Sequence, residues 1–115
     1  MKQFIFLTIL LIICSNSYAQ EVGVASFYTL KSSSNITASG ERYDENALTC
    51  ASMDYPFGTI LKIVNIANGK LVLVKVTDRG GFKKYGRIID LSKEAFRRIA
   101  DLKEGLIRVQ ITEWR

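Results

Sequence analysis

The chain of 115 residues contains no histidine. That absence removes the commonest general base, so neither a Ser-His nor a Cys-His couple is available for nucleophilic catalysis. It also removes the commonest nitrogen ligand for metals. Only two cysteines remain, Cys14 and Cys50, and no zinc or other transition-metal site can be assembled from them. A phosphate-cradling glycine loop is missing too. Asp78-Arg79-Gly80-Gly81 runs into Phe82-Lys83-Lys84-Tyr85-Gly86 without the spacing or the following helix that such a loop needs. We therefore expect no metal and no cofactor. The sequence has no basic helix and no aromatic-studded basic stripe, which argues against nucleic acid as a partner. Repeats, low-complexity tracts and a second domain are also absent.

The apolar run over residues 4–14 is too short to span a bilayer. Lys2 precedes it and the small residues Ser17 and Ala19 follow it. This pattern predicts a signal peptide over residues 1–19, cleaved after Ala19, and a single domain over residues 20–115. Lipidation at Cys14 would want a small residue just before it, and Ile13 is large. The expected location is thus the periplasm or cell envelope, without a stable membrane anchor. Removing Lys2 leaves 15 basic and 11 acidic residues. A positive surface on an exported protein suits an anionic wall polymer, or is simply a solvated face. Cys50 would then stand alone, so stability must come from packing, with the thiol as a small buried apolar group.

What is present reads mainly as strands. Residues 21–28 form the first. Residues 29–47 are polar and rich in Ser, Asn and Gly, which predicts a long loop. Pro56-Phe57-Gly58 closes the next segment as a turn. Two β-branched segments flank Ala67-Asn68-Gly69, and Asn-Gly predicts a type I′ hairpin with positive φ at both central residues. Val72, Val74 and Val76 share one face of the second segment, while Leu71 and Leu73 share the other. Two apolar faces on so small a chain predict a closed or nearly closed barrel. Residues 87–91 form a short strand. Ser92 caps a helix with Glu94 in its first turn, Arg97 and Arg98 near its end, and Ala95, Phe96, Ile99 and Ala100 as its apolar stripe. Ile107, Val109 and Ile111 alternate with Arg108, Gln110 and Thr112 in a last strand.

Four segments in order carry more than any one alone: "GVASFY", "TASGERYDENALTCASMDYPFGT", "VTDRGGF" and "GRIIDLSKEAF". Together they resemble the rare-lipoprotein-A family of bacterial peptidoglycan lytic transglycosylases, over roughly residues 22–109. The resemblance implies a mainly β fold: a six-stranded double-psi β-barrel with one short helix, as in expansins. It also implies a site. Glu41 matches the acidic residue of the family's "TANGE" pattern. Asp78, Arg79 and Phe82 match its "DRGPF" type segment, with Gly81 in place of proline. Asp90 comes with "RIIDLS", and Tyr28 matches the tyrosine of "ASWYG". Ser52 stands where the family has histidine, and Met53, Asp54 and Tyr55 also differ there.

The implied reaction cuts the β-1,4 bond between N-acetylmuramic acid and N-acetylglucosamine of peptidoglycan glycan strands. The muramic C6 hydroxyl attacks C1 and gives a 1,6-anhydro product. One carboxyl group can serve as acid and then base. By resemblance Asp78 is the acid/base, with Glu41 and Asp90 in support, and Tyr28, Ser52, Arg79 and Phe82 face the glycan. Each residue also has a local reading. Asp78 before glycine is turn chemistry; Asp90 could orient amides at the Ser92 cap. Glu41 could be solvated, Arg79 could pair with an acid, and Tyr28 and Phe82 could be core. The alternative function is a non-catalytic, expansin-like glycan-binding module, favoured by Ser52. If the chain is a slow enzyme, Ser52 faces the groove with Asp78 and Glu41, and histidine in its place raises turnover.

Overall fold

A computed structural model describes residues 20–28, 35–80 and 86–115. Residues 1–19 and Phe82 lie outside them. The strands are β1 (Gln20–Tyr28), β2 (Thr49–Ala51), β3 (Ile60–Asn65), β4 (Leu71–Asp78), β5 (Arg87–Ser92) and β6 (Ile107–Glu113). Among the described residues there is one α-helix, α1 (Lys93–Ile99), followed by a 3₁₀ turn, Leu102–Glu104. The six strands close in the order β1-β5-β2-β4-β3-β6. The β1/β5 and β2/β4 pairs are parallel; the other four are antiparallel. This is the double-psi β-barrel that the four segments implied.

Closure follows from the alternation. Val72, Val74 and Val76 point inward with Leu61, Ile63, Val109 and Ile111, and all are buried. Of the outward pair, Leu73 is half-buried and Leu71 exposed. Ile89, Leu91, Ala25 and Cys50 complete the core. Helix α1 packs against β1, β4 and β5 and buries Ala95, Phe96 and Ile99. Phe96 meets Phe27 at 4.8 Å between ring centroids in a tilted pair. Ser92 caps the helix as expected, accepting from the Ala95 amide and donating to the Ala47 carbonyl at 2.7 Å.

One local expectation needs correction. The β3–β4 connection is a hairpin, but not a type I′ turn: Gly69 has φ +74, and Asn68 is not in the positive-φ region. The Gly69 amide instead reaches back to the Asn65 carbonyl at 2.8 Å. The side chains of Asn65 and Asn68 both donate to the Ile99 carbonyl, at 2.7 and 2.9 Å. The asparagines serve the end of α1 rather than the turn. Within the polar stretch 29–47, the described part is a loop, as expected, with no named strand or helix, and it folds back on itself as a tight ribbon. Ile36 bridges Arg42, the Thr37 amide donates to the Glu41 carbonyl at 2.9 Å, and Asn35 takes φ +48.

Candidate active site

Strand register lines up one row of residues across four strands. Ser26 on β1 stands opposite Asp90 on β5; Asp90 stands opposite Ala51 on β2; Ala51 stands opposite Asp78 on β4. Asp78 and Asp90, 12 positions apart in the sequence, thus flank a single alanine. Adjacent strands lie about 4.8 Å apart, so the two backbones are separated by roughly 10 Å.

Asp78 ends β4 half-exposed. Its Oδ1 accepts from the Ala38 amide at 3.0 Å and from the Arg79 amide at 2.9 Å. The first bond depends on the 35–43 ribbon, which is docked on β4 by the Ser39 amide and Thr77 carbonyl at 3.1 Å. Among the described residues only Oδ1 is engaged, which leaves Oδ2 for a ligand.

Asp90 is more enclosed. Its Oδ1 accepts from the Ser26 hydroxyl and from Arg87 Nη2, the latter at 2.7 Å. Gly80 packs over the other oxygen: a Cβ on Gly80 would lie 2.7 Å from Asp90 Oδ2 and 3.0 Å from the Ala51 Cβ. A side-chain carbon at position 80 would therefore force the Asp90 carboxylate or its neighbours to shift.

The remaining candidates separate. The Ser52 amide donates to the Asp78 carbonyl at 3.0 Å, so Ser52 continues the β2/β4 pairing beside the acid. Its side chain is enclosed, at 2% exposure, and Oγ accepts from the Asp54 amide at 3.2 Å. Arg79 turns its guanidinium onto the same segment. Nη1 donates to the carbonyls of Ser52 and Tyr55 at 3.1 and 3.0 Å, and the group stacks 3.9 Å from the centroid of the Phe57 ring. Arg79 therefore clamps the 52–57 segment rather than pairing with an acid. Glu41 is exposed and ion-paired with the exposed Lys75 at 3.1 Å. It belongs to the ribbon that holds Asp78, but its carboxylate engages the side of β4. Tyr28 stacks on Tyr43 at 4.9 Å. Burial, then Asp78, Tyr43, Cys50 and Asp90, push its hydroxyl well above the ordinary tyrosine value, so it remains a neutral donor. Burial first, and Asp90 second, likewise push the Cys50 thiol up and leave it inert. Among the described residues no three histidine, cysteine or carboxylate side chains gather to hold a metal ion.

Sequence reading missed Ser26, Arg87 and Gly80 as supports of the row. Ser26 is 64 positions from Asp90, and nothing local announces the parallel β1/β5 pairing. Arg87 and Asp90 are three apart on a strand, a spacing that normally points side chains to opposite faces. The register shift in β1/β5 between Val24 and Ala25 was a further feature that no periodicity disclosed.

The barrel topology and the row of carboxylates place the molecule among the double-psi β-barrel proteins. The family described as lytic transglycolase matches residues 20–111, and the chain belongs to that family. It is 44% identical over 89 residues to the probable endolytic peptidoglycan transglycosylase RlpA of Synechocystis sp., covering 77% of this chain and 27% of that protein. It is 40% identical over 97 residues to the endolytic peptidoglycan transglycosylase RlpA of Pasteurella multocida, covering 84% and 32%. The chain thus spans about a third or less of the length of these relatives. A mutant Clavibacter michiganensis expansin solved in complex with cellohexaose has the same fold: TM-score 0.67, 24% identity, 84% of this chain and 51% of that one.

Proposed function

We propose that the chain is an exported lytic transglycosylase acting on peptidoglycan glycan strands. The observation that carries this reading is the row Ser26-Asp90-Ala51-Asp78. It gives one carboxylate with a free oxygen and a second held in place beside it. Membership of the family and the names of its relatives support the substrate class.

In this reading Asp78 gives its proton to the leaving O4 of N-acetylglucosamine as the C1–O4 bond breaks. It then takes the proton of the muramic C6 hydroxyl as the C1–O6 bond forms. No water is consumed and the proton count closes on one residue. Asp90, held by Ser26 and Arg87, stabilises charge on the sugar ring and packs against Gly80. Glu41 acts at a distance, by steadying the ribbon whose Ala38 amide holds Asp78. The signal peptide over residues 1–19 delivers the domain to the cell envelope.

One observation favours a second reading, a glycan-binding module without turnover. Position 52 offers no side-chain group toward the glycan, because Ser52 is enclosed at 2% exposure. The test is product analysis. Purified sacculi incubated with the protein are expected to release 1,6-anhydro-muropeptides, detected by mass spectrometry, and Asp78→Asn provides the blank. Retention on sacculi with no such products would replace the enzyme by the binding module.

A further inference from the structure

The Tyr28 hydroxyl is shut off from solvent and has no hydrogen-bond partner among the described residues. A buried hydroxyl left unpaired carries its full desolvation cost, and native structures rarely keep one without a use. The ring cannot simply turn away. It is stacked on Tyr43 at an interplanar angle of 29°, and the Tyr43 hydroxyl donates to the Tyr28 carbonyl at 2.8 Å. Tyr28 ends β1 two residues beyond Ser26, the partner of Asp90. One ribbon holds both Tyr28 and Asp78: its Tyr43 stacks on the Tyr28 ring, and its Ala38 amide donates to Asp78 Oδ1. After burial, the charges that act on the Tyr28 hydroxyl are those of Asp78, Tyr43, Cys50 and Asp90, in that order. Two of these are carboxylates and none receives the proton of Tyr28. A hydroxyl in these surroundings keeps its proton. Being enclosed, it is shut off from a sugar in the groove.

We propose, resting on the transglycosylase reading above, that Tyr28 is a positioning residue for Asp78. Its hydroxyl donates a hydrogen bond to the Asp78 carboxylate once Asp78 has given its proton to the leaving O4, and holds that carboxylate oriented for the proton of the C6 hydroxyl. Tyr28 neither loses nor gains a proton. The bonds broken and formed are C1–O4, C1–O6 and the O–H bonds of Asp78, of O4 and of the C6 hydroxyl.

The test is Tyr28→Phe in the full chain, with kcat and KM measured on soluble glycan strands isolated from sacculi, and thermal unfolding followed by circular dichroism. Phenylalanine keeps the ring and removes only the unpaired oxygen, so a merely structural hydroxyl predicts equal or higher Tm with unchanged kcat. The proposal predicts equal or higher Tm together with a kcat lowered roughly 10- to 100-fold, the range for a hydrogen bond to a charged group, and a KM changed less than about twofold. Parental kcat in a folded Tyr28→Phe variant overturns the positioning role and leaves the enzyme reading intact. A KM effect with unchanged kcat overturns it as well, in favour of direct glycan contact. Absence of anhydro products from the parent chain overturns both.

Discussion

Gly80 lies directly against Asp90: a side-chain carbon there would come within 2.7 Å of the carboxylate oxygen Oδ2. The contact ties Gly80, two residues past the end of β4, to the carboxylate on β5, and so ties the two ends of the candidate site together. Gly80→Ala must displace Asp90 or shift the backbone at position 80. The expected cost is about 1–3 kcal/mol of stability, the usual range for forcing a carbon into packed space. Urea denaturation measures it, and product release should fall in the same variant.

Asp78→Asn keeps the shape and the acceptor oxygen for the Ala38 and Arg79 amides, but cannot deliver a proton. We expect an unchanged circular dichroism spectrum and a loss of at least about 100-fold in anhydro-product release. Glu41→Gln removes one member of an exposed ion pair with Lys75. Such pairs contribute about 0–1 kcal/mol, so a rate loss under about threefold is expected. A Glu41→Gln effect as large as that of Asp78→Asn would assign Glu41 a direct part in the chemistry.

How much of this was legible beforehand follows from the range of each signal. The valines of β4, the Ser92 cap and the alternation of β6 are local patterns, and the sequence disclosed them. The "DRG" and "RIID" segments, read through the family, pointed to Asp78 and Asp90. What stayed hidden depends on pairing between distant strands: Ser26 on Asp90, and Gly80 against Asp90. The Asn68-Gly69 turn misled because a short-range rule was outweighed by the Ile99 carbonyl, which both Asn65 and Asn68 satisfy.

Ser52→His is the substitution that the family pattern invites. The side chain at 52 is enclosed, and its Oγ fixes the Asp54 amide. An imidazole there loses that bond and crowds the segment clamped by Arg79. Instead of a gain, we expect a loss of about 1–3 kcal/mol in stability and a slower initial rate of product release. A faster rate in a folded variant would show that the 52–57 segment opens to admit the imidazole.

Cys50 is fully buried and unpaired, and burial followed by Asp90 pushes its thiol up. The native protein should therefore resist an aromatic disulfide reagent at neutral pH, with labelling only as fast as the barrel opens. In denaturant the same thiol should react within the mixing time. Rapid labelling under native conditions would mean that β2 is not held as the barrel requires.

The central claim is that the sugar's own C6 hydroxyl, and not water, attacks C1 while Asp78 carries the proton. The most direct measurement is cleavage of purified glycan strands in oxygen-18 water, with the new ends analysed by mass spectrometry. The account predicts 1,6-anhydro ends that carry no heavy oxygen, and none of these products from Asp78→Asn. Heavy oxygen on reducing ends made by the parent chain, or no cleavage at all in either protein, would contradict it.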